Sequence, residues 1–200
     1  MFFRKNNKPA GPVDFLIAGL GNPGRKYEGT RHNIGFAVIE ALSARLSAPV
    51  KKIRFQSLCG EARIEDKRVL LMMPQTYMNN SGIAVREAMR FYKLAPEQLL
   101  VVCDEVALPA GAVRIRRSGS DGGQKGMASI LYHLQSDQFP RIRIGVGAKP
   151  HPDYELADWV LSKFSPNEAK VMVEAVDNAS AAVVTLVGEG IERAMNLYSK

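Results

Sequence analysis

Three apolar runs each lead into a small polar group. Phe15 to Gly19 leads to Asn22, Val69 to Met73 to Asn79 and Asn80, and Leu99 to Cys103 to Asp104. In open α/β sheets, ligands gather outside the carboxyl ends of strands, so these groups are placed to meet in one crevice. His32 completes the set: it follows Thr30, a candidate N-cap, which places it in the first turn of the next helix. An imidazole beside a carboxylate is a general base in waiting. Each residue also has a structural reading. Asn22 precedes Pro23 as turn formers do, Asn79 or Asn80 can cap the helix that Ser81 begins, and Asp104 can be a loop acid. His133, on an amphipathic helix, and His151, in a Pro-rich loop, read as structural.

The elements that must position these groups alternate between strands and helices. Ile34, Val38, Leu42 and Leu46 recur at helical spacing, Glu61 to Ile64 and Val69 to Met73 flank a polar turn, and Ser81 to Tyr92 reads as a helix. Leu99 to Cys103 is a fully buried strand by its composition. Ala112 to Arg116 sets Val113 and Ile115 against Arg114 and Arg116, and Arg141 to Val146 sets Ile142 and Ile144 against Arg141 and Arg143. These alternations predict two strands, each with one basic face, separated by a helix over about 126–134. Met172, Val176, Ala179, Val183 and Leu186 predict a long amphipathic helix ended by Gly188 and Gly190. The fold class that follows is α/β, a single-domain twisted mixed β-sheet flanked by helices. With no repeat or linker in view, residues 1–13 read as a basic arm and 14–200 as one domain.

Composition narrows the functional classes. The 200 residues carry 27 Lys and Arg against 20 Asp and Glu, a net charge of +7 that favours a polyanionic partner. The longest unbroken apolar runs fall far short of the ~20 residues that span a bilayer, so no membrane span is expected. Cys59 and Cys103 stand apart without a CxxC pair or nearby histidine, as buried free thiols do in a reducing cytoplasmic compartment. Gly19 to Gly24 fits GxGxxG after a strand, the mark of a dinucleotide site. However, Pro23, Gly29 and Gly35 defer helical periodicity to about residue 34, and the acid at the required spacing, Glu40, falls inside that helix. A nicotinamide-dependent oxidoreductase is therefore the weaker alternative.

The stretch LIAGLGNPGRKYEGTRHNIGF (Leu16 to Phe36) resembles the signature of bacterial-type peptidyl-tRNA hydrolases. So do PQTYMNNSG (Pro74 to Gly82), CDEVALPAG (Cys103 to Gly111) and RIRIGVG (Arg141 to Gly147), in the family's order. The resemblance implies cleavage of the ester between a peptide and the 3′-terminal ribose of tRNA, by a cytoplasmic monomer needing no metal or organic cofactor. Carried over by motif, it makes His32 the general base that activates water, Asp104 its orienting carboxylate, and Asn22 the sensor of the peptidyl ester. Asn79 becomes the holder of the peptide main chain and a donor to the oxyanion. Tyr27 and Tyr77 match positions set against the 3′ end of the substrate. Arg114, Arg116, Arg117, Arg141 and Arg143 become candidates for phosphate contact, as do helix-start amides near Gly122 and Gly123. One departure stands out: where the family usually carries His-Asn after the paired glycines, this chain has Gln124-Lys125. Lys125 keeps a donor, loses the amide acceptor and adds a charge able to reach a phosphate. A second alternative is a non-enzymatic RNA-binding relative of the same fold, against which the retention of Asn22, His32, Asn79 and Asp104 argues.

Overall fold

The computed structural model describes residues 12–199, so most of the basic arm expected over 1–13 lies outside the described residues. Among these residues seven strands form one sheet: β1 (Phe15–Gly19), β2 (Lys52–Arg54), β3 (Ser57–Ile64), β4 (Lys67–Pro74), β5 (Leu99–Glu105), β6 (Val113–Arg116) and β7 (Arg141–Gly145). Their spatial order is β2-β3-β4-β1-β5-β7-β6. The central strands β4, β1, β5 and β7 run parallel, while β2, β3 and β6 are antiparallel to their neighbours. The sheet is mixed because β3 and β4 are joined by a tight turn at Glu65, whose positive φ suits a hairpin, whereas the parallel pairs need helical crossovers.

Among the described residues, six α-helices cover both faces: α1 (Ile34–Arg45), α2 (Ser81–Tyr92), α3 (Lys125–Leu134), α4 (Leu156–Leu161), α5 (Pro166–Glu189) and α6 (Ile191–Tyr198). One core gathers Val38 and Leu42 of α1 with Met172, Ala179 and Val183 of α5 against Ile17, Leu71, Val102 and Ile144. The other gathers Ala84 and Val85 of α2 with Met127 and Ile130 of α3 against Leu16, Met72, Val101 and Cys103. Alternate residues of the central strands feed the two cores, which explains their unbroken apolar sequences.

One expectation needs correction at the C-terminal end. Gly188 lies inside α5, where a Cβ would sit 2.9 Å from the Glu65 carboxylate, and only Gly190, at φ 96°, ends the helix. A further helix, α6, then packs on the β6 edge, where the Ser199 hydroxyl accepts from the Ile115 amide. The short α4 was also not anticipated. α5 is itself long and apolar enough to cross a membrane by length and composition. Its apolar residues are dispersed at helical spacing, so it holds no long unbroken apolar run. Half of the apolar window is buried within the protein.

The first two glycines of the GxGxxG run serve packing. A Cβ on Gly19 would lie 2.2 Å from the Gly35 carbonyl oxygen, and one on Gly21 would lie 2.7 Å from the Phe36 ring. They let the end of β1 press against the start of α1, a role that needs no cofactor.

Candidate active site

The chain leaves β1 toward one side of the sheet and returns through α2 to lay β5 on the other side of β1. This makes a topological switch point, with α1 and α2 on opposite faces. Outside the carboxyl ends of β1, β4 and β5 lies a cleft of about 580 Å³, lined by Asn22, Tyr27, His32, Tyr77, Met78, Asn79, Asp104 and the start of α3. α4 forms another wall, with Leu156, Val160 and Leu161 toward the cleft.

His32 sits in a short 3-10 turn, Arg31–Asn33, just ahead of α1. Thr30 does not cap that helix. Its hydroxyl donates to the Tyr27 carbonyl at 2.7 Å, so the histidine is held by a tight turn and not by a capped helical turn. His32 Nδ1 meets Asp104 Oδ2 at 2.8 Å, both residues being buried. Because a carboxylate only accepts, Nδ1 carries the proton there, and the neutral ring presents its bare Nε2 elsewhere. Among the described residues Nε2 has no hydrogen-bond partner, and the ring lines the cleft. This arrangement suits the removal of a proton from water.

Asn22 is buried at the turn after β1. Its Oδ1 accepts from the Met78 amide at 2.8 Å, tying the end of β1 to the segment after β4. Its backbone is gripped by Asn33, whose Oδ1 accepts from Asn22 N and whose Nδ2 donates to Asn22 O, both at 2.9 Å. Sequence reasoning missed Asn33. The only signal was its position next to His32, because the clamp joins residues that meet only in the fold. Asn79 is exposed on the cleft, while Tyr27 and Tyr77 meet edge to face with ring centres 6.4 Å apart. Tyr77 adopts φ 59°, ψ 157°, a region sparsely used outside glycine, and the chain is held there by the Met78–Asn22 bond.

Gln124 and Lys125 begin α3. The Gln124 side chain caps the helix, its Oε1 accepting from Met127 N at 2.7 Å, while its Nε2 donates to Asp104 Oδ1 at 3.0 Å. Lys125 is exposed on the cleft wall. Gly122 and Gly123 also line the cleft, in a turn where the Gly123 amide donates to Asp121 Oδ1 at 2.6 Å.

The arginines divide. Arg116 is exposed on β6, outside the cleft. Arg141 is fully buried, which corrects its assignment to phosphate contact: its guanidinium donates to the carbonyls of Gly119, Ser120, Asp137 and Phe139. The strand alternation that suggested an exposed basic face holds only where that face is open, and here a loop folds over it. Burial, with Arg143 alongside, pulls the Arg141 pKa down. Arg143 is likewise spent internally, on Glu105 at 2.9 Å and the Ser120 carbonyl at 2.6 Å. Arg117 pairs with Glu192 of α6.

Neither cysteine fits a nucleophile. Both are buried free thiols, and burial pushes Cys59 up to about 11 and also raises Cys103, which Asp104 raises further. Among the described residues, no group of three or more His, Cys, Asp or Glu side chains could hold a metal ion.

A family model described as peptidyl-tRNA hydrolase matches residues 16–200. The peptidyl-tRNA hydrolase of Caldanaerobacter subterraneus subsp. tengcongensis is 50% identical over 185 residues, covering 92% of this chain and 99% of that protein. That of Rhodopirellula baltica is 48% identical, covering 92% and 96%. The crystal structure of peptidyl-tRNA hydrolase from Acinetobacter baumannii superposes with a TM-score of 0.87 at 36% identity, over 95% of this chain and 99% of that one. A uridine phosphorylase from Vibrio fischeri shares the fold at 8% identity, with a TM-score of 0.53.

Proposed function

Since the chain belongs to the peptidyl-tRNA hydrolase family, whose reaction frees tRNA from peptidyl-tRNA by ester hydrolysis, we propose that His32 is the general base of that reaction. The observation that carries this reading is the 2.8 Å bond from His32 to buried Asp104, which leaves the opposite ring nitrogen at the cleft. Nε2 takes a proton from water as the oxygen attacks the ester carbonyl. Asp104 fixes the tautomer and stabilises the imidazolium that forms. The proton then passes to the leaving ribose oxygen.

Asn79, which lines the open wall, holds the peptide main chain and donates to the developing oxyanion. Asn22 has its side-chain oxygen engaged by Met78 N, so its amide N–H groups are what remain to sense the peptidyl ester. Tyr27 and Tyr77 offer aromatic faces to the 3′ end of the tRNA. Lys125 at the cleft and Arg116 on the outer strand supply positive charge for phosphates, in keeping with the net charge of +7. No step requires a metal or organic cofactor. Residues 14–200 act as one catalytic domain, and the protein works as a cytoplasmic monomer, with α5 serving as a core helix and not as a membrane anchor.

The test is release of free tRNA from N-blocked aminoacyl-tRNA by the purified protein, with unblocked aminoacyl-tRNA as control. Fast release from the blocked substrate alone is expected. Equal release from both, or release undiminished in His32→Ala, overturns the assignment.

A further inference from the structure

We propose that Gln124 is a positioning residue for the His32–Asp104 pair and that capping α3 is only half of its role. The inference rests on the reading of His32 as general base. Asp104 has two oxygens to satisfy in a buried place. Oδ2 accepts from His32 at 2.8 Å and Oδ1 from Gln124 Nε2 at 3.0 Å. A carboxylate held at both oxygens cannot rotate about its terminal bond, so the acceptor facing the imidazole stays in place while the ring gains and loses a proton.

The Gln124 amide is itself locked. Its Oε1 accepts from Met127 N at 2.7 Å, and because only the oxygen can accept, the nitrogen must face Asp104. A second contact from Nε2, 3.1 Å to Met78 Sδ, fixes the same orientation. Room for this arrangement exists because residue 126 is glycine: a Cβ there would lie 2.5 Å from Met78 Sδ and 3.1 Å from Gln124 Oε1. Met78 N in turn donates to Asn22, so one chain of contacts runs from Asn22 through Met78 and Gln124 to Asp104 and His32. The amide does not titrate, so its donor faces Asp104 at every working pH. The ionisable groups around it are His32, Asp104, Glu105, Cys103 and Lys125, with Tyr27, Tyr77 and Glu155 across the cleft and Asp121 in the preceding loop.

Gln124→Glu separates the two roles. It keeps an oxygen for Met127 N, so α3 stays capped, but it replaces the donor facing Asp104 with a second carboxylate. Because a second carboxylate then faces buried Asp104, the variant should unfold at a lower temperature than wild type, and its kinetics are read well below that temperature. Its kcat on N-blocked aminoacyl-tRNA should fall about 10–100-fold with KM nearly unchanged, because the interaction lost acts in the transition state. The acid limb of the pH–kcat profile should move to higher pH, since an added negative charge favours the imidazolium. Gln124→Met loses cap and donor together and should lower both Tm and kcat. Wild-type kcat and an unmoved limb in Gln124→Glu, with His32→Ala inactive, overturn the positioning role and leave the general base standing. Full activity in His32→Ala overturns the general base and this proposal with it.

Discussion

Arg31 and His32 are adjacent in one 3-10 turn, yet they meet different partners and do opposite work. Each is buried and each meets a carboxylate, at 3.0 Å for Arg31–Glu168 and 2.8 Å for His32–Asp104. Arg31 spends its donors on Ser162 Oγ, the Val146 carbonyl and Glu168, and its guanidinium lies between Trp159, 3.6 Å from the ring centre, and Phe164, at 4.7 Å. The side chain is buried, so it is not presented to a substrate. His32 uses one nitrogen and keeps the other for the cleft. A side chain bonded to a carboxylate is thus a brace when its partners surround it and a reactive site when one ring nitrogen is left to the cleft. The brace also serves the site, because it ties the histidine's turn to α4, one wall of the cleft, and to α5.

The largest effect should come from the reactive side. His32→Ala should lower kcat by about 10²–10⁴-fold while tRNA affinity and Tm barely change, and Asp104→Asn should follow in the same direction with a smaller loss. Steady-state kinetics beside a melting curve check this. A large drop in Tm would erase the contrast between the two residues.

On the bracing side, Arg31→Met should cost roughly 2–3 kcal/mol of stability in urea unfolding, from the lost ion pair and cation–π contacts. It should also lower kcat, because the histidine's turn loses its anchor. Unaltered stability would show that the stacked rings hold α4 without the guanidinium.

A gentler probe is pH. The Arg31 hydrogen bond holds the Glu168 carboxyl down at about 2, against an ordinary 4.5, with the Ser165 capping contacts acting the same way. A depressed carboxyl stabilises the fold fully above its unfolded value. That contribution fades as pH falls from about 4.5 toward about 2. Glu168→Gln should therefore be less stable than wild type at neutral pH and converge on it in acid, as denaturant midpoints across that range would reveal.

The smallest effect concerns two arginines paired across β6 and β7, Arg116 and Arg141. Arg116→Ala should reduce the slope of log KM against log salt by under about one unit with stability unchanged. Arg141→Ala should leave that slope alone and lower Tm, because it strips donors from four carbonyls. Equal slopes in wild type and Arg116→Ala would remove the outer strand from the tRNA path.

Much of this molecule was legible in its residues because the governing physics is local. The helix Ser81–Tyr92 follows from apolar spacing alone and appears with those bounds. The unbroken apolar runs of the parallel strands require cover on both faces, and the polar groups that close them mark the carboxyl ends where a crevice forms. Free buried cysteines likewise followed from their neighbours. What the sequence left open is which polar group meets which. Arg141 and Arg116 read alike on alternating strands, and only the loop carrying Gly119 and Ser120 buries one of them. Asn33 gives no sign in the chain that it clamps Asn22, eleven positions away. Gln124 reads as a departure from a familiar pattern until the start of α3 is laid beside β5, bringing it to a carboxylate twenty positions distant. Hydrophobic periodicity is set within a few turns of chain, so sequence alone determines most of the elements and the end of the sheet at which chemistry gathers. Hydrogen bonds are short and directional, so the tertiary structure decides which side chains become the reagent and which hold it still.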